Sequence, residues 1–255
     1  MNIGIVGNGF VGGATAQLSK NVTIYDTDPS KSTHRISDLL VCDIVFVCVP
    51  TPSAADGSAD VSIVRSTVTT LQSRGLDSRR IVIRSTCPPG TAKSLGVSCM
   101  PEFLTERRAK QDFKENPTWV LGTESNTTVT LIRTLLERAK KELRILSDDV
   151  YVVCANEAEL IKYTKNTFLS VKVSFFNEIY RVCGACEADY ETVRKIATMD
   201  PRIGSSHTYV PGPDGKFGFG GHCFPKDCKA FCTFSNQDTS LVQTALERNV
   251  LDRSK

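Results

Sequence analysis

Up to about residue 150, short apolar runs alternate with longer segments in which apolar residues recur every three or four positions. The short runs predict strands at Asn2–Val6, Val22–Tyr25, Ile44–Val49, Arg80–Ser85, Trp119–Leu121 and Leu143–Leu146. Between them, Val11–Ser19, Val61–Arg74 and Thr127–Lys141 have the spacing of helices. Strands separated by helices imply an α/β fold, a doubly wound and mostly parallel sheet of Rossmann type. From Asn156 the pattern changes to one apolar-periodic run that reaches about Cys183 without Gly or Pro. As a helix it would extend roughly 40 Å, a length suited to bridging domains or subunits. Tyr190–Met199, Lys226–Phe234 and Ser240–Asp252 predict further helices, and Ile203–Gly221 reads as a Gly/Pro-rich loop. The expected division is a sheet domain over 1–153 and a helical domain over 154–255.

Composition narrows the class. With 40% hydrophobic and 23% charged residues in 255, the chain can bury a core and is not a disordered polymer. Thirty-one basic against 28 acidic residues leave a charge of +3, too small for a nucleic-acid or membrane-surface footprint. Met1 leads into Ile3-Gly4-Ile5-Val6 without a basic leader, and no apolar stretch is long enough to span a bilayer, so a cytoplasmic protein is expected. Ten cysteines, several inside strand-like or helix-like runs, favour reduced thiols over a disulfide framework.

Gly7-Asn8-Gly9-Phe10-Val11-Gly12 fits G-x-G-x-x-G in the context that motif requires, after a strand and opening a helix. Its glycines permit a tight turn and close backbone approach to a pyrophosphate. Asp26 follows Gly7 by 19 residues, at the end of the second strand. A carboxylate there binds ribose hydroxyls and repels a 2′-phosphate, which favours NAD over NADP. Val49-Pro50-Thr51-Pro52 and Ser85-Thr86-Cys87-Pro88-Pro89-Gly90-Thr91 follow the third and fourth strands, where such sheets bind ligands. Thr51 and Thr86 offer hydroxyls there; the alternative is that the loops are merely turns, and for Thr51 taken alone the two readings weigh the same.

The stretch from Gly218 to Asp227, Gly-Phe-Gly-Gly-His-Cys-Phe-Pro-Lys-Asp, is the most informative of the second half. Pro225 suits the start of a helix, which puts Cys223 just outside a helix N-terminus, where the dipole and Lys226 would lower a thiol pKa. By residue type alone a small buried hydrophobe is the better reading of Cys223, and the flanking sequence reverses that. Asp227 fits either a catalytic carboxylate or a charge that complements the helix dipole. Lys162 and Asn166 stand four apart on the long helix, where a lysine beside a thiolate can stabilise an oxyanion. Cys183-x-x-Cys186 lies in a helical run with no second pair to complete a zinc set, so no metal is expected.

These residues resemble the nucleotide-sugar 6-dehydrogenases, the UDP-glucose and GDP-mannose dehydrogenase family. The matching pieces come in the family's order: GNGFVG, YD at Asp26, VPTP, STCPPGT, PEFLTE at Pro101–Glu106, ELIKYTKNTFLSVKVSFFNEI at Glu159–Ile179, DPRIG at Asp200–Gly204, and FGFGGHCFPKD at Phe217–Asp227. The PEFL and KYTKN forms look more like the UDP-glucose branch, while His222 before Cys223 resembles the N-acetylated-sugar branch. The resemblance implies a four-electron, NAD-dependent oxidation of a sugar CH2OH to a carboxylate through a Cys223 thiohemiacetal and thioester, with UDP-glucose as the expected substrate. It implies Lys162 and Asn166 on the oxyanion side, Thr86 and Asp227 positioning a water, and Glu102 as acid/base for thioester hydrolysis. Gly7, Gly9, Phe10, Val11, Gly12, Asp26, Lys31, Thr51, Thr86, Glu106 and Lys226 would contact NAD. Glu102, Lys162, Asn166, Arg202, Phe217, Gly218, Gly220 and Gly221 would contact the nucleotide sugar, with Arg202 reaching across a subunit interface. A homodimer or higher oligomer through the long helix is implied as well.

The sequence departs from the family pattern at Met100, where a small or polar residue usually precedes PEFL, and at its end. Family members continue into a third, nucleotide-recognising domain, which is expected to be absent here. The competing expectation is therefore a shortened relative that binds NAD and dimerises as a binding or regulatory module without catalysis of its own.

Overall fold

Alternation in the first strand, β1 (Asn2–Val6), sends Ile3 and Ile5 to one face and Val6 to the other. The same division runs through β3 (Ile44–Val47), with Ile44 and Phe46 on the first face and Val45 and Val47 on the second. Both faces are buried, as a parallel sheet requires. The computed structural model describes residues 1–254. They fall into two compact units, one of Met1–Pro52 and Asp60–Lys162, the other of Ser53–Ala59 and the chain from Tyr163 onward.

The first unit is a seven-stranded sheet that also contains β2 (Asn21–Tyr25), β4 (Ile81–Ile83), β5 (Ser98–Cys99), β6 (Trp119–Gly122) and β7 (Val150–Val153). Its order is β2-β1-β3-β4-β5-β6-β7, with every pair parallel except β5 and β6. The helices are α1 (Phe10–Thr15), α2 (Ser62–Ser73), α3 (Thr91–Leu95), α4 (Ala109–Glu115) and α5 (Asn126–Lys141). In α5, Ile132, Leu135, Leu136 and Ala139 form the buried stripe, each larger side chain contributing about 1.5–3 kcal/mol of burial. Ser125 caps that helix by accepting from the Thr128 amide, and Arg138, Lys140 and Lys141 complement its C-terminal dipole.

One expected strand is corrected. Leu143–Leu146 forms the turn that ends α5: Leu143 takes a positive φ of 58°, its amide donates to the Lys140 carbonyl at 2.9 Å, and the Arg144 amide reaches back to Ala139 at 2.9 Å. These are the bonds of a helix C-cap, and they turn Leu143 and Leu146 to the surface. The strand comes later as β7, in register with β6 from Trp119↔Val150 to Gly122↔Val153.

The long run is α6 (Ala155–Ala185), 31 residues, whose first turns belong to the first unit and whose remainder belongs to the second. The second unit adds α7 (Tyr190–Ala197), α8 (Phe224–Phe234) and α9 (Ser240–Arg253). The Asp189 side chain caps α7 by accepting from the Thr192 amide at 2.7 Å. Ser53–Ala59 joins this unit because Ala59 packs with Tyr163 and Ala230. No helix among the described residues is long and apolar enough to cross a membrane.

Candidate active site

The turn after β1 is shaped by what a side chain would meet. Gly7 has φ +90°, and a Cβ there would lie 2.6 Å from the Cys48 carbonyl oxygen; at Gly12 it would lie 1.9 Å from the Gly7 carbonyl. At Gly9 it would meet nothing within 4 Å. Two glycines thus close the turn, while the third leaves an exposed backbone that a ligand can approach. Asp26, at the end of β2, is half-buried, and its carboxylate accepts from the Asn8 amide at 2.6 Å and the Asp28 amide at 2.9 Å. Asn8 also donates to the Lys31 carbonyl at 2.9 Å, so the acidic residue and the glycine turn are fixed to each other. This cradle and its acidic neighbour fit a dinucleotide with free ribose hydroxyls. Lys31 itself is exposed and ion-paired with Asp28 at 3.4 Å. Phe10 and Val11 are half-buried at the start of α1, and Glu106 is exposed at the head of a single 3-10 turn, Glu106–Arg108.

In the same unit, Glu102 and Lys162 meet although 60 residues separate them: Lys162 Nζ donates to Glu102 Oε1 at 2.7 Å, with both side chains buried. The Leu104 amide donates to Glu102 Oε2 at 2.6 Å. Burial alone would push the Glu102 carboxyl up, but the Lys162 charge and hydrogen bond, the Leu104 amide and the Arg84 charge outweigh it and hold the group below its usual range. Thr51 is buried and Thr86 half-buried, each on its loop at a strand end. The Ser85 hydroxyl donates to the Val49 carbonyl at 2.6 Å and ties those two loops together.

In the second unit, Cys223 is the N-cap residue of α8, with Pro225 in the first turn. The Asp227 amide donates to the Cys223 carbonyl at 2.8 Å, which puts the buried Asp227 carboxylate one turn beyond the thiol-bearing residue. That carboxylate accepts from Asn166 Nδ2 at 2.6 Å and from Lys226 Nζ at 2.6 Å. Lys226 is therefore paired with Asp227. Arg202 lies on the surface and pairs with Asp200 at 2.6 Å.

Two family models match this chain: the NAD binding domain of the UDP-glucose/GDP-mannose dehydrogenase family over residues 31–140, and the central domain of the same family over 156–250. The chain belongs to this family. Among curated relatives, it is 30% identical over 259 residues to the UDP-glucose 6-dehydrogenase AglM of Haloferax volcanii, covering 91% of this chain and 58% of that protein. Among solved structures, a UDP-glucose dehydrogenase from Pyrobaculum islandicum matches with a TM-score of 0.83 at 26% identity, covering 98% of this chain and 68% of that one. A UDP-D-ManNAc dehydrogenase from Pyrococcus horikoshii matches in fold with a TM-score of 0.82 at 22% identity, covering 98% and 68%. The chain spans 52% to 67% of the length of the first curated relatives it matches.

As in this family, the cofactor is NAD, and the glycine cradle with Asp26 fits it. The family member also carries polar anchors that motif reading left unassigned. Glu159, on α6, accepts from the Gly90 amide at 2.7 Å and the Ala92 amide at 2.9 Å, which secures the end of the Thr86 loop. Asn249, on α9, pairs with both backbone groups of Phe219, accepting at 2.7 Å and donating at 2.9 Å. Asn177, on α6, accepts from the Gly218 amide at 3.0 Å. Gly218 has φ +70°, and a Cβ there would lie 2.3 Å from Asn249 Oδ1, so only glycine fits between the anchors. The loop of Phe217, Gly218, Gly220 and Gly221 is thus held on two helices. Glu159 lies inside a family motif; Asn249 lies in none, and only its place in the buried stripe of α9 singles it out.

Proposed function

We propose that the chain is an NAD-dependent nucleotide-sugar 6-dehydrogenase that oxidises a sugar CH2OH to a carboxylate, with UDP-glucose as its first candidate substrate. The observation that carries this reading is Cys223 at the N-cap of α8, one turn before an Asp227 carboxylate anchored by Asn166. The N-terminal end of an eleven-residue helix favours a thiolate over a thiol.

In this reading the sugar alcohol loses an electron pair and two protons and becomes an aldehyde, to whose carbon the Cys223 thiolate adds, forming a C–S bond while the C=O π bond opens to an oxyanion. Lys162 and Asn166 stabilise the oxyanion, and its protonated form is the thiohemiacetal. Loss of a second electron pair and two protons gives the thioester. Water activated by Glu102 then breaks the C–S bond, releasing the carboxylate and regenerating the thiolate. NAD, when bound, accepts the electron pair at each oxidation. Thr86 and Asp227 position the water that carries protons away, and Asp26, Thr51 and Glu106 hold the cofactor. Arg202, exposed beside Asp200, serves a neighbouring copy of the chain, and the long α6 is the element through which copies pair.

The test is the absorbance of NADH formed by the purified chain with NAD and UDP-glucose, GDP-mannose or UDP-N-acetylmannosamine. Two NADH per sugar are expected from the preferred substrate, and Cys223→Ser is expected to abolish net acid formation. Unchanged turnover in Cys223→Ser would sink the thioester route, whereas NAD binding without turnover on any sugar would favour the binding-module reading.

A further inference from the structure

At the carboxyl ends of three neighbouring parallel strands lies a buried cation with no part in the reaction above. Val47 of β3 pairs with Ile83 of β4, and Ile83 with Cys99 of β5. The Arg84 amide donates to the Val47 carbonyl and the Met100 amide to the Ile83 carbonyl, each at 2.8 Å. Cys48, Arg84 and Glu102 therefore leave adjacent strand ends. Arg84 is 2% exposed, its guanidinium stands 5.6 Å over the Phe113 ring, and its Nε and Nη1 have no hydrogen-bond partner among the described residues. A buried guanidinium with idle N–H groups is costly unless a charge compensates it, and arginine does not give up its proton to avoid that cost. Burial pulls the Arg84 pKa below its usual value, while the Glu102 charge acts in the opposite sense.

Lys162 has two duties that compete for one charge. Its ammonium donates to Glu102 at 2.7 Å, and in the proposed reaction it must also face an oxyanion. To the extent that its charge is drawn to the oxyanion, Glu102 is a buried carboxylate with a weakened counter-charge, and such a group tends to take up a proton. A protonated Glu102 cannot activate the water that cleaves the thioester. We propose that Arg84 is the reserve counter-charge that keeps Glu102 ionised while Lys162 is engaged elsewhere, and so acts as a positioning residue for the hydrolytic step. The duty of Lys162 rests on the reaction proposed above; the burial of Arg84 and its place on the strand end beside that of Glu102 do not. Glu102 is in contact with Lys162 of α6 and the Leu104 amide, and the charges or titratable groups that act on it without contact are Arg84 beyond β4 and Cys48 beyond β3. Burial pushes the Cys48 thiol up to about 12, so it stays neutral and competes for neither charge.

The test reads the Glu102 side-chain carboxyl by carbon NMR across pH in the full chain, its resonance assigned by loss in Glu102→Gln. In Lys162→Met, Glu102 is expected to titrate within or below the ordinary carboxylate range. Adding Arg84→Gln is expected to raise the midpoint by about one pH unit or more, and Arg84→Lys to restore it. A Glu102 that is protonated near neutrality in Lys162→Met, with Arg84 intact, overturns the proposal, so the decision stands whether or not Arg84→Gln folds. A midpoint that Arg84→Gln leaves unmoved overturns it as well. These titrations need no turnover: an inert wild-type chain would remove the reaction while the carboxyl still decides on Arg84. In an active chain, Arg84→Gln moves the acid limb of the pH profile for acid release to higher pH and leaves the KM for NAD unchanged.

Discussion

Glu159 shows how one carboxyl can link a helix to a loop and to pH. Its two oxygens accept from the Gly90 and Ala92 amides, yet burial outweighs those bonds and raises its pKa from 4.5 to about 7. A folded-state pKa above the unfolded value means that the native chain holds more proton between those limits. The contribution of this group is therefore fully present below about pH 4.5 and is lost as pH rises through about 7. Glu159→Gln does not titrate, and its single carbonyl oxygen serves only one of the two amides, a cost of about 1–3 kcal/mol. The expected result is that the stability advantage of wild type over Glu159→Gln, from urea unfolding at a series of pH values, narrows between those two limits. Because the comparison is a difference, the depressed carboxyls such as Asp77 cancel. A gap that stays constant with pH would contradict the assignment.

At the scale of elements, α9 and α6 act on the loop before Cys223 through Asn249 and Asn177. Asn249→Ala strands both the amide and the carbonyl of Phe219 in a buried place, at about 1–3 kcal/mol for each group left unpaired. Urea unfolding is expected to show that loss, and limited proteolysis to cut first between Phe217 and Gly221; cleavage unchanged from wild type would argue against the anchor. This device was not legible in the sequence, because a hydrogen bond between residues 30 apart follows no local period. The Glu102–Lys162 pair is similarly invisible to spacing, and only the resemblance of both segments to one family put the two residues in one list. Where the signal is local, the reading held: Pro225 announced the start of α8 and so the place of Cys223, and β1 matched residue for residue. It failed at Leu143–Leu146, where an apolar run was counted as a strand although a left-handed turn ends α5 there. It also missed β5, whose two residues are too few to carry a period.

For the molecule as a whole, the sheet unit carries both the glycine cradle and Trp119, the chain's one tryptophan. That side chain is buried, packs edge-on against Phe113 at 5.0 Å between ring centroids, and donates to the Ser147 carbonyl at 2.8 Å. Its fluorescence therefore reports unfolding of the unit that holds NAD. A ligand that binds only the folded form stabilises it by about 2.7 kcal/mol at a hundred times its Kd. For a chain of this size each kcal/mol moves the midpoint by about 2–4 °C, so saturating NAD should raise the Trp119 transition by roughly 5–10 °C. NADP at the same concentration should do much less, because its 2′-phosphate would meet the Asp26 carboxylate that Asn8 and Asp28 hold in place. In Asp26→Ser the NAD and NADP shifts should converge, since the repulsion goes and the ribose contact weakens. Equal shifts for both cofactors in wild type would mean that Asp26 does not sort them, and the turn at Gly7 would then be a phosphate cradle whose specificity is set elsewhere.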